Sequence, residues 1–236
     1  TIKKRSLKVI ILVPLPSPYE WDLEKEKLIL GCISEDKKNR LLRFRDMKDR
    51  MRGLIAEIII RETIMNEFLA RNEELIFDIN EFGKPFLKSL DVDFQYSVSH
   101  SSEWIVVAFS NQSIGVDVER IRNFDLEIAE SFFATEEVHL LYSEADKDLS
   151  FCKLWTLKES YIKFLGKGFY EKLDSFAIDY TKEPPSLIRS KNDDSPRFDF
   201  LEGLSGYCLS ICSESSEKPK YSVLNHKKLI HNFLNR

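Results

Sequence analysis

The stretch SIGVDVER, residues 113–120, sets two acidic side chains into an otherwise aliphatic run. Because successive side chains of a β-strand point to opposite faces, the two valines share one face, and Asp117 and Glu119 share the other. Two like charges then stand about 7 Å apart on one strand, which predicts a positively charged partner beside them. The alternative is a solvent-facing strand with the acidic residues on its wet side.

A second cluster of chemistry-bearing residues lies in FCKLWTLKESYIKFLGKGF, residues 151–169. If this segment is a helix, Trp155, Glu159 and Lys163 align on one face at successive turns. A Glu followed by a Lys four residues later is also a common surface pair that contributes only about 0.2–0.5 kcal/mol, and the spacing alone leaves that interpretation open.

If the helix packs on the acidic strand, Asp117, Glu119 and Glu159 form a site of three carboxylates. Oxygen ligands of this kind suit a hard cation such as Mg²⁺ or Mn²⁺. A Mg²⁺ ion bound by few carboxylates keeps coordination positions for water and substrate phosphates. Together the two segments therefore predict a metal-dependent phosphate chemistry.

Composition limits the function classes. The chain of 236 residues has 43% hydrophobic residues, enough for the core of one large or two small domains. Its formal net charge is −4, so neither nucleic acid nor an anionic membrane surface is expected as a partner. Residues 37–52 are a local exception with eight basic and two acidic side chains. Such a cluster is typical of a solvated basic helix face or of an anion site.

The cysteine pattern and the amino-terminal segment favour a cytoplasmic protein. No C-x-x-C pair occurs among the four cysteines, which predicts reduced thiols rather than a disulfide or zinc framework. The opening TIKKRSLKVIILVPLP has basic residues ahead of an apolar run, but Pro14 and Pro16 interrupt it and no small-residue cleavage site follows. A first β-strand is therefore predicted instead of a secretory signal. No segment approaches the roughly 20 apolar residues of a membrane span.

The order of predicted elements begins with a strand and a helical region. A strand from Leu7 to Val13 precedes a helix that begins near Trp21 and ends before Gly31. Helical spacing then extends from an N-cap at Ser34 to about residue 69. Gly53 marks a candidate break between two helices in this region.

Beyond residue 75 the pattern changes to short β-branched stretches. LIFDI, FQYSVS, WIVVAFS and SIGVDVE, separated by turn residues, predict a small, mostly antiparallel sheet up to Ile121. Another helical region extends from about Asp125 to Phe164, LDSFAIDY is a strand, residues 182–196 form a polar loop, and FLEGLSGYCLSIC adds one or two strands. This order indicates an α+β fold rather than regular βαβ units.

Several motifs resemble those of one enzyme family. GVDVE at 115–119, followed about forty residues later by WTLKESYIK at 155–163, resembles the paired signatures of the 4′-phosphopantetheinyl transferases of the larger Sfp type. FGKPFL at 82–87, SVSHSSEW at 97–104 and FFATEE at 132–137 resemble further elements of that family. The likeness covers the middle of the chain and fades in its last quarter.

The resemblance implies an activity, a fold and partners. Such enzymes transfer the phosphopantetheine arm of coenzyme A to a serine of an apo acyl or peptidyl carrier protein and release adenosine 3′,5′-bisphosphate. Their larger members are expected to be monomers of two similar α+β halves around a pseudo-twofold axis, with coenzyme A in the cleft between them. The implied division gives residues 1–110 the grip on coenzyme A, and residues 111–236 the Mg²⁺ site and the catalytic helix.

The resemblance also implies roles for single residues. Asp117, Glu119 and Glu159 resemble the Mg²⁺ ligands, and Glu159 is the candidate general base for the attacking serine. Lys163 resembles the lysine that contacts the diphosphate and protonates the leaving group. The residues that resemble those binding the 3′-phosphate of coenzyme A in the family are Lys37, Arg40 and Arg52.

Further contacts are implied for the nucleotide and for the carrier. In the turn of Gly83, Lys84 and Pro85, the lysine is expected to approach the nucleotide, and the glycine to permit close backbone passage. Ser99 and His100 are expected to touch phosphate and adenine or ribose groups, and His100 is counted among the catalytic residues. Many relatives carry Asn in place of Ser97, a change expected to alter a hydrogen bond that supports the His100 loop. The residues expected to face an acidic helix of the carrier are Arg43 and Lys48.

Two other functions stay open from the residues. A metal-dependent phosphodiesterase or nuclease also combines clustered acids with Mg²⁺, but it requires a nucleic-acid groove, which one short basic segment in an acidic chain does not favour. A non-catalytic coenzyme A-binding module would use the acids only to tune affinity. The choice of carrier protein does not follow from the sequence.

Overall fold

The computed structural model of the chain describes residues 8–191, 195–215 and 217–236, and every structural statement below refers to these residues. Leu7, where the first strand is predicted to begin, lies outside them, as do residues 192–194 of the predicted polar loop. Within the described ranges, no helix combines the length and the apolar character needed to cross a membrane.

The first half of the chain forms a strand, a group of helices, a two-stranded hairpin and a pair of strands. In order these are β1 (Lys8–Pro14), α1 (Leu23–Gly31), α2 (Glu35–Leu42), α3 (Met47–Phe68), β2 (Phe77–Ile79), β3 (Pro85–Leu87), β4 (Gln95–Ser101) and β5 (Trp104–Ser110). Strands β1, β5 and β4 are neighbours in one sheet and pair antiparallel. Helix α3 packs against this sheet through β5 and β4.

The second half repeats the same order of elements. They are β6 (Ile114–Arg120), α4 (Glu127–Phe132), α5 (Thr135–Ser143), α6 (Lys147–Leu165), β7 (Ala177–Asp179), β8 (Ser186–Arg189), β9 (Arg197–Phe200) and β10 (Tyr207–Ser213). In both halves the opening strand pairs antiparallel with the last strand of the unit, which pairs with the strand before it. The prediction of an α+β fold with two similar halves is confirmed, and the division near residue 110 stays a prediction.

The carboxyl-terminal segment returns to the first half. Strand β11 (Lys220–Val223) pairs parallel with β1, and α7 (His226–Leu234) contacts α3 and α1. The side chains of Leu229, Ile230 and Phe233 are buried in the same apolar cluster as α3. Residues that follow the second half in sequence therefore complete the sheet and the core of the first.

The two sheets enclose an apolar layer that contains the valines of the opening motif. Val116 and Val118 are fully buried against residues of β1, β5 and β10. Asp117 points to the other face, where it is 4% exposed. The predicted alternation of β6 is confirmed, and the alternative of a solvent-facing strand is wrong because α6 covers the acidic face.

The helical region of the first half breaks at a different point from the one predicted. The N-cap at Ser34 is confirmed, since its hydroxyl accepts from the Lys37 amide at 3.4 Å. Helix α2 ends at Leu42, and Asp46 caps the start of α3 with its carboxylate. Gly53 lies within α3, where a Cβ would stand 2.4 Å from Leu41 Cδ2. The glycine therefore admits the packing of α2 and does not break the helix.

Two boundaries in the second half also differ from the predictions. The helical region predicted from Asp125 to Phe164 is divided into α4, α5 and α6, because extended residues at 133–134 and the Asp146 cap interrupt it. The predicted polar loop at 182–196 contains β8, which pairs with β7. Its side chains are half-buried or exposed, so the strand lacks a clear apolar signal.

Candidate active site

The sheets of the two halves meet at their edge strands β4 and β6, and side chains join them there. Serine hydroxyls of β4 accept hydrogen bonds from backbone amides of β6. The pairs are Ser97 with Val116 (3.1 Å), Ser99 with Val118 (3.3 Å) and Ser101 with Arg120 (3.2 Å). These contacts, here named the serine seam, fix β6 beside β4 and satisfy amides that an edge strand would leave unpaired.

The close packing of α6 on β6 depends on Gly115. A Cβ at this position would lie 1.9 Å from the carbonyl oxygen of Ser160 and 2.4 Å from the amide nitrogen of Phe164. Only glycine permits the helix backbone to approach the strand this closely. The approach brings the α6 residues Glu159 and Lys163 beside the acidic face of β6.

A cavity of about 1060 Å³ opens where α6, β4 and β6 meet. The predicted carboxylates Asp117, Glu119 and Glu159 all line it, although they come from segments about forty residues apart. Lys163, Ser99 and His100 line the same cavity. The structure therefore brings together the residues that the sequence assigned to the metal, the diphosphate and the catalytic step.

Asp117 is the most constrained of the carboxylates. Its Oδ1 accepts hydrogen bonds from Lys163 Nζ and from the Ser99 hydroxyl, each at 2.7 Å. Its Oδ2 is buried and has no hydrogen-bond partner. Lys163 thus reaches across to β6 instead of forming the solvated surface pair with Glu159 that the helical spacing also allowed.

Burial and neighbouring charge act together on the other two carboxylates. Desolvation raises the pKa of Glu159 above its ordinary value, and the negative charge of Asp117 raises it further. Desolvation also raises the pKa of Glu119, while the hydrogen bond from Ser101 opposes the shift. Carboxylates crowded into a desolvated cavity in this way are stabilised by a cation.

The carboxylates do not form a closed ligand cluster as they stand. Across the described ranges, no group of three or more His, Cys, Asp or Glu side chains is arranged to hold a metal ion. Asp117 accepts a hydrogen bond from Lys163, and Glu119 accepts one from Ser101. The residues present nevertheless fit a divalent cation, because hard oxygen donors line one cavity and the buried Oδ2 of Asp117 lacks a partner.

An adjoining cavity of about 730 Å³ shares Val98 and His100 with the first. The predicted 3′-phosphate residues Lys37, Arg40 and Arg52 line it together with Pro85. His100 lies on β4 rather than in a loop. Partial desolvation and the positive charges of Arg52 and Lys163 hold the pKa of His100 below its ordinary value. The basic cavity and the acidic cavity thus adjoin at Val98 and His100, and the two together are here named the cleft.

Buried acids and carbonyls position the basic residues of this cavity. Glu57 accepts from Lys37 Nζ at 2.9 Å and from Arg61 Nε at 2.7 Å. Desolvation opposes ionisation of Glu57, but the two cations outweigh it and hold its pKa below the ordinary value. Arg52 donates to Asp49 at 2.7 Å and to the Ser102 carbonyl at 2.6 Å, while its buried Nε has no partner.

The lysine of the Gly-Lys-Pro turn, which was predicted to approach a nucleotide, binds backbone carbonyl oxygens of the protein itself. Lys84 Nζ donates to the carbonyl oxygens of Lys163 at 2.8 Å and Ile114 at 3.4 Å, and burial lowers its pKa to about 8. Gly83 adopts a left-handed φ of 88° in open space, so this conformation is what requires glycine rather than a close contact. In the described structure Lys84 joins the hairpin to the second half, and its contact with a nucleotide stays a prediction.

The role of the serines on β4 was not predicted from the sequence. Their alternation in S-x-S-x-S matches the period of a strand and the D-x-E spacing of β6, which is the signal that could have paired them. A second contact was not predicted either: Lys158 and Glu137 form a fully buried ion pair at 2.6 Å between α6 and α5. Lys158 lies in the WTLKESYIK motif and Glu137 in the FFATEE motif. Both motifs were recognised, but no contact was predicted for these two side chains.

Comparison with known proteins gives consistent results along most of the chain. The family model described as "4'-phosphopantetheinyl transferase, N-terminal" matches residues 16–112, and the model of the 4′-phosphopantetheinyl transferase superfamily matches residues 113–212. The 4′-phosphopantetheinyl transferase gsp of Aneurinibacillus migulanus is 36% identical over 208 residues, which cover 87% of this chain and 86% of that protein.

A further relative is the 4′-phosphopantetheinyl transferase Sfp of Bacillus subtilis (strain 168). It is 30% identical over 211 residues, which cover 88% of this chain and 94% of the relative. The two family models together span both halves of the fold and the residues that line the two cavities. The chain belongs to the 4′-phosphopantetheinyl transferase superfamily, whose enzymes transfer phosphopantetheine from coenzyme A to a serine of a carrier protein.

Proposed function

We propose that this cleft loads an apo acyl or peptidyl carrier protein, with a divalent cation, Mg²⁺ or Mn²⁺, at the acidic cavity and coenzyme A across both cavities. The observation that carries the proposal is that an acidic and a basic cavity adjoin. The acidic cavity contains Asp117, Glu119 and Glu159, the basic cavity contains Lys37 and Arg52, and Val98 and His100 line both.

The proposed cation is held by Asp117, Glu119 and Glu159. When bound, it neutralises negative charge on the pyrophosphate of coenzyme A. Support comes from the donor chemistry, since carboxylate oxygens are the ligands that Mg²⁺ and Mn²⁺ prefer, and from the buried Oδ2 of Asp117 that lacks a partner.

The transfer step follows from the placement of the α6 residues. Glu159 accepts the proton of the carrier serine hydroxyl as the serine oxygen forms a bond to the β-phosphorus of coenzyme A. The bond from that phosphorus to the bridging oxygen breaks, and adenosine 3′,5′-bisphosphate departs with the electron pair. Lys163, which stands at 2.7 Å from Asp117, stabilises the charge on the leaving phosphate. Phosphoryl transfer depends mainly on positioning and electrostatics, which such contacts supply.

The basic cavity grips the nucleotide part of coenzyme A. Lys37, Arg40 and Arg52 hold the 3′-phosphate, and the buried Nε of Arg52 without a partner supports an anion at this point. Ser99 and His100 contact phosphate or sugar groups where the two cavities join. In this proposal Pro85 lines the basic cavity, while Gly83 and Lys84 line a smaller cavity of about 240 Å³ that shares Val98 with the other two.

The proposal includes a surface that binds the carrier protein, an oligomeric state and a cellular compartment. Arg43 is exposed in the lining of the basic cavity, and Lys48 is exposed in the first turn of α3. Both side chains complement an acidic helix of a carrier protein. The enzyme acts as a monomer in the cytoplasm. The absence of a disulfide among the described cysteines is compatible with a reducing compartment.

Intact-mass measurement of an apo carrier protein tests the proposal. Incubation with coenzyme A, Mg²⁺ and the enzyme is expected to add the mass of one phosphopantetheine arm. Asp117→Ala and Glu159→Ala are expected to abolish the gain, whereas coenzyme A binding weakens but persists. The control is Glu67→Ala, an exposed acid of α3 outside both cavities, which keeps the gain. Wild-type turnover in either cleft variant would show that the metal site is assigned wrongly.

The same measurement separates the alternatives weighed from the sequence. A phosphodiesterase would leave the carrier mass unchanged and cleave a nucleic-acid substrate, and a binding module would leave both unchanged. Running the assay with carriers from fatty acid and secondary-metabolite synthesis shows which class of carrier is served.

A further inference from the structure

We propose that Ser101 is a positioning residue that fixes the carboxylate of Glu119 at the acidic cavity, as Ser99 does for Asp117. The inference rests on the proposed function, because it concerns a carboxylate assigned there to the cation. The proposed function assigns no role to Ser101.

The hydrogen bonding of Ser101 leaves its hydroxyl one orientation. A serine hydroxyl has one proton to donate and lone pairs to accept with. The Arg120 amide donates to Ser101 Oγ at 3.2 Å, so the oxygen accepts from the backbone. The proton is directed to Glu119 Oε2 at 2.7 Å, a distance typical of a charge-assisted hydrogen bond. The backbone of β6 thus orients the hydroxyl, and the hydroxyl orients the acid.

Ser99 repeats this arrangement one step along the strand. Its hydroxyl accepts from the Val118 amide at 3.3 Å and donates to Asp117 Oδ1 at 2.7 Å. The repeat follows from the two-residue period that the serines of β4 and the acids of β6 share. It shows that the contact at Ser101 belongs to a regular pattern between the strands.

Ser97 provides an internal control. Its hydroxyl accepts from the Val116 amide at 3.1 Å, as in the other pairs of the seam. The residue of β6 that precedes Val116 is Gly115, which has no side chain to receive the serine proton. Replacement of Ser97 therefore removes a seam contact without removing a contact to an acid.

The side chain of Glu119 has freedom that such a contact removes. It has several rotatable bonds and is only partly buried, so its orientation is not set by packing alone. Some residues do not bind a metal themselves but hydrogen-bond to one of its ligands and orient it. Replacement of such a residue typically lowers metal affinity by about 10- to 100-fold. An effect of that size is expected for loss of the Ser101 hydroxyl.

Mn²⁺ binding tests the inference without reference to turnover. Mn²⁺ is titrated into the protein in the presence of coenzyme A, and electron paramagnetic resonance measures the concentration of free Mn²⁺ at each step. Ser101→Ala is expected to weaken Mn²⁺ binding about tenfold or more. Ser101→Thr retains the hydroxyl on a strand that tolerates threonine, and it is expected to bind Mn²⁺ like the wild type. Ser97→Ala is expected to keep Mn²⁺ affinity while lowering the unfolding midpoint.

A double-mutant cycle shows that Ser101 acts through Glu119. In a Glu119→Ala background, the change Ser101→Ala is expected to have no further effect on Mn²⁺ affinity. The inference is overturned if Ser101→Ala binds Mn²⁺ like the wild type, if Ser101→Thr fails to restore binding, or if Ser97→Ala weakens binding equally. If the wild type itself binds no Mn²⁺, the proposed metal site fails, and this inference fails with it.

Discussion

Glu57 stabilises the first half of the chain and also orients a lysine of the basic cavity. It is a buried acid whose ion pairs with Lys37 and Arg61 hold one wall of that cavity in place. Desolvation raises the pKa of Tyr96 on β4, and the negative charge of Glu57 raises it further. A lysine held in this way is oriented before an anion arrives, which reduces the entropy lost on binding.

Replacement of Glu57 is expected to change the pH dependence of stability. Because its folded-state pKa lies below the ordinary value of 4.5, the ion pairs stabilise the fold above about pH 4.5, and this contribution is lost as pH falls through the folded pKa. Glu57→Gln is therefore expected to lower the free energy of unfolding at pH 7 by about 1–3 kcal/mol. The difference from the wild type is expected to shrink below pH 4.5.

Urea unfolding at a series of pH values measures this effect. Glu67→Gln is the matched control, since it changes an exposed acid of the same helix and is expected to stay within about 0.5 kcal/mol of the wild type. A difference between Glu57→Gln and the wild type that grows in acid would contradict the prediction.

At this scale the sequence predicted the residues whose chemistry is visible in a short pattern. The alternation of Val116 and Asp117 and the helical spacing of Glu159 and Lys163 are local properties, and the structure places these side chains as expected. The orientation of Ser101 was not predictable in the same way, because it depends on the approach of β4 to β6.

Helix α6 is held in place by charges buried on the side away from the cleft. Lys158 Nζ donates to both carboxylate oxygens of Glu137 and to the Phe176 carbonyl at 3.0 Å, and it stands 4.2 Å from the centre of the Phe176 ring. Glu137 also accepts from the amides of Ala134 and Ile178. Burial raises the pKa of Glu137 and lowers that of Lys158 to about 8. The ion pair and the hydrogen bonds oppose this desolvation, which remains the larger effect on both groups.

Removal of either partner of this pair is expected to be costly. Lys158→Met leaves a buried carboxylate without its cation, and Glu137→Gln leaves a buried ammonium, so each is expected to lower the free energy of unfolding by about 3–5 kcal/mol. The double variant Lys158→Met with Glu137→Gln is expected to lose less than the sum of the single losses, because neither charge then remains unpaired.

Chemical denaturation of the two single variants and the double variant measures the coupling. A suitable control is Arg189→Met, which removes an exposed ion pair to Glu136 and is expected to change stability by less than about 1 kcal/mol. Additive losses in the double variant would show that the buried pair contributes no coupling energy.

Among the elements, helices with clear caps were predicted more accurately than short strands. Ser34 was recognised as an N-cap, whereas Gly53 was misread because its role is to admit Leu41. Strand β8 was missed because its side chains show no apolar alternation. Strand β11 is exposed throughout, so only its pairing with β1 makes it a strand.

At the scale of the whole molecule, the carboxyl-terminal helix stabilises the half of the chain that is most distant in sequence. Phe233 of α7 is 6% exposed within the core that contains α3. Phe233→Ala is expected to lower the free energy of unfolding by about 3–5 kcal/mol. Hydrogen exchange is expected to accelerate in β1 and α3, although neither is close to position 233 in the chain.

Hydrogen exchange followed by mass spectrometry, together with urea unfolding, tests this prediction. The matched control is Phe132→Ala, which truncates a phenylalanine that is 56% exposed on α4. It is expected to change stability by less than about 1 kcal/mol and to leave exchange in β1 unchanged. Faster exchange confined to α7 in the Phe233 variant would show that the helix is dispensable for the first half.

The two-halved α+β architecture was predicted from the family motifs, and the repeated order of elements in the structure agrees with it. The return of β11 and α7 to the first sheet was not predicted, because no local pattern identifies the strand beside which a distant segment pairs. Parallel pairing with β1 joins residues about 210 positions apart, a separation that only the tertiary fold sets.

The return of β11 has a consequence for synthesis on the ribosome. The second sheet has all its strands once β10 has emerged, whereas β1 keeps one bare edge until β11 follows. The half that is translated first is thus the half that is finished last. During that interval the uncovered edge of β1 is open to strands of neighbouring nascent chains, and a chaperone that shields it would raise the yield of correctly folded enzyme.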